Sequence, residues 1–426
     1  MIQAGGRMRF RAAGRALRHR NFRLFFAGQL VSMTGTNMQT VAQGWLVGTL
    51  VGWDQAVVYI GLVGIVATLP VMVLSLFGGV IADVWPKRRT LVATQATAGI
   101  LALVLAGLTW FDVVAVWQVF VLAFLLGLVN ALDMPTRQAF VMEMVGPEDI
   151  ANAVALNSAV MNGARIVGPA VAGVLIGLLG TSLCFALNGL SFGAVIVGLL
   201  AMRERELIAA PRLAVPRSLA AVGANLGEGL HYAWNTPLVR LVLVTVGLVN
   251  IFGLNFFNIM LPVIAAGTLK AGASGFGFLS ASLGLGALVA ALAVASMQRP
   301  RIRVLFAGCL IVGAMEFVLA VTASYPVALV AVFFIGVGLI ASSSSGNSLI
   351  QVTVPGPLRG RVMSLWTTVV VGSSPVGNVL TGAVGGVLGI PAALIMAGST
   401  VFAADAAAVA AVLRGYLRPD REGAED

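Results

Sequence analysis

Apolar residues run along this chain in twelve stretches, separated by short polar breaks, at roughly 22–50, 57–82, 90–111, 114–135, 152–178, 182–201, 237–265, 274–296, 302–323, 325–348, 362–387 and 391–413. A helix needs about 20 apolar residues to cross a bilayer, and the stretches predict twelve such helices. Several carry polar side chains at helical spacing. In span one, Gln29, Met33, Thr36, Thr40 and Gln43 follow a four, three, four, three rhythm and share one face. In lipid such a face must turn towards a wet cavity or a neighbouring helix. Asn130 in span four, Asn255 and Asn258 in span seven, and Ser342 to Ser345 with Asn347 in span ten add further polar positions, of which Ser344 and Asn347 are candidate cavity residues. Phe and Trp nearby suit an aromatic or amphipathic substrate.

The charges orient these helices. If the spans cross alternately, every one of the 26 Lys and Arg lies on one face or at helix ends beside it, except Arg165 and Lys270. The positive-inside rule then places both termini in the cytoplasm and the chain, as a multi-pass protein, in the cytoplasmic (inner) membrane. A basic arm, 1–21, precedes the first six-helix bundle, 22–201. A cytoplasmic linker, 202–236, separates it from the second bundle, 237–413, and a tail, 414–426, follows. The linker carries Arg203, Arg205, Arg212 and Arg217 with Pro211 and Pro216, then Leu219, Val222, Leu226 and Leu230 on one helical face, as in a helix lying at a membrane surface. No cleavable signal peptide is expected, since 21–50 is too long for a signal core.

Composition narrows the function. At 59% hydrophobic and 10% charged, the chain has too little charge to cover the surface of a soluble protein of 426 residues. Its +10 net charge is spread over short loops, so no nucleic-acid surface is expected. Cys184 and Cys309 lie within apolar segments without metal spacing and read as packing residues. No metal cluster, nucleophile–base pair or P-loop spacing is present, so neither an enzyme nor a cofactor is expected.

The two halves are related. A shift of 209 positions pairs Gly163 with Gly372, Gly168 with Gly377, Gly173 with Gly382 and Gly127 with Gly336. Pro169 and Pro375 lie beside the paired glycines. Duplicated six-helix halves point to a transporter that rocks about a central site.

Between spans two and three lies Gly79-Val-Ile-Ala-Asp83-Val-Trp-Pro-Lys87-Arg88-Arg89. It resembles the loop signature of the major facilitator superfamily, with Val84 and Pro86 departing from the usual Arg and Gly. The stretch from Asp133-Met-Pro-Thr-Arg137 through Glu143, Glu148-Asp149 and Asn152 to Arg165-Ile-Val-Gly168-Pro169 resembles the branch that contains the bacterial enterobactin exporter. So do Arg20 to Phe25, Glu228-Gly229-Leu230 and Leu358-Arg359-Gly360-Arg361-Val-Met363. The resemblance covers essentially the whole chain. It implies an all-α membrane protein with twelve transmembrane helices in two pseudo-symmetric six-helix bundles, working as a monomer by alternating access. It also implies export of a small organic molecule, such as a drug, siderophore or secondary metabolite, by proton antiport. Spans one, four, seven and ten would line the cavity. Asp83 would lie near Arg359 and Arg361 at the start of span eleven, forming a conformational latch with Gly79, Lys87 and Arg88. Pro169 and the glycines of spans five and eleven would serve bending or close packing. The family's cavity Arg on span four is absent, where the chain reads Phe124-Leu-Leu-Gly127-Leu-Val-Asn130.

Charges inside the spans are costly and mark function or bracing. Arg165, about mid-bilayer, either binds an anionic substrate group or braces helices through carbonyls. Asp133, Glu316 and Asp405 are candidate proton carriers. An importer and a non-transporting receptor or scaffold remain as alternatives to an exporter. The topology is testable by single-cysteine labelling of intact cells after removal of Cys184 and Cys309. An impermeant reagent should reach position 270 and not position 88, and the reverse pattern would overturn the arrangement.

Overall fold

The computed structural model describes residues 14–208, 219–297 and 300–413, and among them helix dominates. The side chains of 75–84, 219–226, 255–257 and a few single positions lie outside that description, as do Arg212, Arg217 and Arg299. In chain order the helices are α1 (Arg20–Val51), α2 (Trp53–Val84), α3 (Lys87–Trp110), α4 (Val116–Leu179), α5 (Thr181–Leu200), the linker helix α6 (Leu219–Asn235), α7 (Pro237–Leu248) and α8 (Phe256–Val263). They continue with α9 (Gly272–Ala295), α10 (Ile302–Val321), α11 (Tyr325–Thr353), α12 (Gly356–Leu388) and α13 (Ile390–Leu413). Ten helices among the described residues are long and apolar enough to cross a membrane. α1 and α12, with 32 and 33 residues, are as long but are diluted by polar and glycine positions.

Two features depart from the simple series. The sequence separates spans four and five at 136–151, whereas the helix runs on through Pro135 and breaks only at Gly146 (φ 72°, ψ 176°). A positive φ costs glycine least, and Pro147 then opens the second half of α4, a position that needs no N–H donor. Span seven changes its winding twice, being π-helical over Val249–Asn255 and again over Ile264–Thr268.

The chain divides into two compact units, one of Met1–Val215 with Lys270–Ala281, the other of Pro216–Leu269 with Ser282–Asp426. In unit 1, α1 packs on α4 and α5, α2 on α4, and α3 on α5. Small residues set the closest approaches. A Cβ on Gly168 would come within 2.8 Å of the Thr34 carbonyl on α1, and one on Gly173 within 2.4 Å of the Gly277 Cα in the first turns of α9. Gly127 meets the Ala67 carbonyl at 2.4 Å in the same sense. In unit 2 a Cβ on Gly336, the residue paired with Gly127 by the repeat, would come within 2.0 Å of the Leu283 carbonyl. The same glycine device thus recurs in both units. Gly163 and Gly372 both face open space, with nothing within 4 Å of an added Cβ, so neither makes the close packing expected from the sequence.

At the end of α1 that the sequence places in the cytoplasm, Asp149, just past the α4 break, binds Arg15 (3.0 Å), Arg18 (2.8 Å) and His19 (2.9 Å). Asn152 accepts the Ala16 N–H, and Asn21 holds the backbone of Arg203. The Ile208 N–H donates to the Glu143 carbonyl at 2.8 Å, which ties the start of the linker to the same joint. Cys184 and Cys309 are buried free thiols.

Gly336→Ala should destabilise the protein by about 1–3 kcal/mol, because the methyl has nowhere to go, whereas Gly163→Ala should be neutral or stabilising by about 0.5–1 kcal/mol. Thermal unfolding of the two variants in detergent reads the difference, and equal midpoints would contradict the packing account.

Candidate functional site

Unit 1 holds a buried polar network that joins three helices. Asp133 on α4 is 1% exposed. Its Oδ1 accepts from Thr94 Oγ1 (2.7 Å) and Gln95 Nε2 (2.8 Å), both on α3. Its Oδ2 accepts from Arg137 Nη2 one turn along α4. Arg137 Nη1 in turn donates to Gln29 Oε1 on α1 at 3.1 Å. Buried carboxylates are tolerated when charge-paired and fully hydrogen-bonded, and Asp133 has a guanidinium and two neutral donors. Two atoms of the network are left over among the described residues: Arg137 Nε and Gln95 Oε1 are buried without a partner. The network is therefore saturated at the acid and unsaturated at the base.

The sequence offers Asp133 as a candidate proton carrier, and the structure pairs it with Arg137, four residues along the same helix. The i, i+4 spacing of opposite charges was the available signal. Thr94 and Gln95 escaped notice because adjacent polar residues within a span have no helical periodicity. Gln29, expected on the cavity face, is buried at 2% within the network.

Arg165 behaves differently. Its side chain is exposed, and among the described residues it makes no hydrogen bond or ion pair, so the carbonyl bracing considered from the sequence is not formed. It lies one turn before Gly168, whose close contact with Thr34, Asn37 and Met38 fixes this part of α4 against α1. On α1, Thr36 and Thr40 are exposed and return their hydroxyls to their own helix, to Ser32 (2.9 Å) and Thr36 (3.0 Å) carbonyls, while Met33 and Gln43 are partly exposed. Asn130 on α4 is also partly exposed. Unit 1 thus offers an unpartnered guanidinium on one helix and small hydroxyls on the helix packed against it.

In unit 2, Asn258 is exposed, Ser344 is partly exposed, and Asn347 is partly exposed and accepts from Gln351. Asn255 lies outside the described side chains. Glu316 on α10 is fully buried, and Asp405 on α13 is 7% exposed.

Of the residues expected to form a latch, Lys87, Arg88 and Arg361 have partners within their own units. Lys87 pairs with Glu143 at 2.7 Å. Arg88 donates to the Leu199 (2.7 Å) and Leu200 (3.0 Å) carbonyls and pairs with Glu204. Arg361 pairs with Glu228 on α6, where Gly229 lets the linker helix approach the Arg361 backbone. Arg359 is exposed, and the side chains of Gly79 and Asp83 lie outside the description. Pro169 is buried and Pro375 sits inside α12. Gly377 and Gly382 are on the same helix.

A family model described as MFS_3, transmembrane secretion effector, matches residues 12–423. The multidrug efflux pump Tap of Mycolicibacterium fortuitum is 26% identical over 383 residues, spanning 87% of this chain and 91% of that protein. The enterobactin exporter EntS of Shigella boydii is 22% identical over 386 residues, covering 87% of this chain and 86% of that one. Among solved structures, a POT family transporter in complex with 5-aminolevulinic acid superposes with a TM-score of 0.71 at 12% identity, over 93% of this chain and 96% of its own. That last likeness speaks for the fold.

Removing one partner of this pair should be costly: Asp133→Asn is expected to destabilise by about 2–4 kcal/mol, since it strands a mostly buried guanidinium. Adding Arg137→Gln should recover part of that loss, with a coupling energy of about 1–3 kcal/mol in a double-mutant cycle. Additive losses would show that the two side chains do not act as a pair.

Proposed function

We propose, for a chain that belongs to the transmembrane secretion effector family of the major facilitator superfamily, that it exports a small amphipathic organic molecule carrying an anionic group, in exchange for protons. It is a multi-pass membrane transporter. We read twelve spans, with both termini in the cytoplasm and the chain in the cytoplasmic membrane, and the one-sided distribution of Lys and Arg supports that orientation.

The observation that carries the substrate class is Arg165. A guanidinium within a span is expensive, and this one is exposed and makes no hydrogen bond or ion pair among the described residues. Its planar fork matches a carboxylate or sulfonate in two-point contact. The apolar remainder of such a molecule suits the aliphatic walls of the spans. The relatives named as multidrug and enterobactin exporters favour outward movement. For the proton pathway, Asp133 is the candidate acid of unit 1, since its bond to Arg137 links α4 to Gln29 on α1.

Everted membrane vesicles test the reading. With an inward-acid gradient, the wild type should accumulate amphipathic carboxylates such as norfloxacin, and collapse of the gradient should abolish accumulation. Arg165→Gln should lower uptake of the carboxylates about tenfold or more, with their neutral esters nearly unaffected. Equal losses for acid and ester in a folded variant would remove the anion site from this proposal. Gradient-driven movement in the opposite direction would favour an importer.

A further inference from the structure

Within unit 2, one titratable side chain has no use in binding an anion-bearing molecule. Glu316 lies 14 residues after Ile302 on α10, about 21 Å along the helix at 1.5 Å per residue. It is 0% exposed. Both carboxyl oxygens are buried, and neither has a hydrogen-bond partner among the described residues.

Its surroundings are tightly closed. Gly308 meets the Gly338 carbonyl and Ser342 on α11. Val312 meets Gly253 in the π-helical stretch Val249–Asn255. Gly313 faces the Gly398 carbonyl on α13, and Phe317 stacks on Phe402 at 5.5 Å. Glu316 is one turn beyond Val312 and Gly313 and shares their inward face. The ionisable groups on α10 and on the elements packed against it are Arg303, Cys309, Tyr325 and Asp405. Arg303 is about 20 Å away along α10, and none of the others is a cation. An ionised Glu316 would therefore be an unpaired charge in a dry seam, which proteins do not support. A proton on the carboxyl removes that cost.

The neighbouring backbone gives that proton a way to matter. A π turn holds one residue more than the α-helix, and such turns recur at functional positions. Converting one to α winding rotates the rest of the helix by about 100°. In span seven this change would act beside Gly253, the residue that touches the face of α10 on which Glu316 lies.

We propose that Glu316 is a proton-binding site of unit 2, exchanging its proton when the π-helical stretch of span seven rewinds and admits a donor or water to the carboxyl. This rests on the antiport reading above. The step is a simple ionisation: the carboxylic acid gives a carboxylate and one proton, which leaves towards the cytoplasm, and reprotonation comes from outside as substrate is released.

The full-length protein reconstituted in lipid provides the test. A pH-induced infrared difference spectrum of the wild type should contain a protonated-carboxyl carbonyl band that is missing from Glu316→Gln. Glu316→Gln should lose gradient-driven norfloxacin accumulation about tenfold or more, while retaining norfloxacin exchange at equal pH on both sides. Glu316→Asp should restore part of the gradient-driven activity, which guards against a folding artefact. An infrared spectrum unchanged by Glu316→Gln would overturn the proposal, as would full gradient-driven transport by that variant. If the wild type moves norfloxacin without regard to the gradient, the antiport reading falls, and the infrared band alone then decides whether Glu316 binds a proton.

Discussion

Inside a bilayer every backbone N–H and C=O must find its partner within the protein, because no water replaces a missing one. That constraint makes long helices the structural unit of this chain and leaves the helix-to-helix contacts to do the remaining work. Lipid and leucine are equally apolar, so hydrophobic burial does not draw such helices together. Close backbone approach does. Gly127 and Gly336 show this at equivalent places in the repeat, each facing a carbonyl of the helix beside it.

The same constraint makes the buried charged side chains informative. In unit 1 one network surrounds Asp133, built from α1, α3 and α4, with the acid satisfied and the base only partly so, and a second joins Asn188 on α5 to Gln39 on α1. In unit 2 both oxygens of Glu316, and one of Asp405, lack a hydrogen-bond partner among the described residues. The two units share a helical plan and differ in their interior chemistry. Gly127 and Gly336 occupy one packing position in both units, while the buried acids Asp133 and Glu316 sit in different surroundings.

Helices of the fold were legible in the sequence because a run of apolar residues is a local property. The polar stripe on span one was legible for the same reason, and Thr36 and Thr40 are exposed as the stripe implies. Gln29 belongs to the same stripe yet is buried, because the stripe defines a face of a helix and not the neighbour that covers it. Arg137 was read as part of a basic cytoplasmic pattern. Its partner Asp133 is local, but its bond to Gln29 spans 108 residues and has no trace in spacing. The break at Gly146 was hidden as well. The prolines around it suggest an end to helix, and only the positive φ at a single glycine lets the helix resume directly.

Asp149 sits three residues beyond that break and carries Arg15, Arg18 and His19 on one carboxylate. The strand of contacts around it reaches from the turn before α1, across the joint in α4, to Arg203 after α5. In mechanical terms the joint is splinted. A bare glycine hinge would let the halves of α4 flex separately and dissipate any tilt, but here bending the joint means breaking a cluster of ion pairs. A force applied to one of these helices is therefore delivered to the others without slack, and unit 1 can turn as a lever.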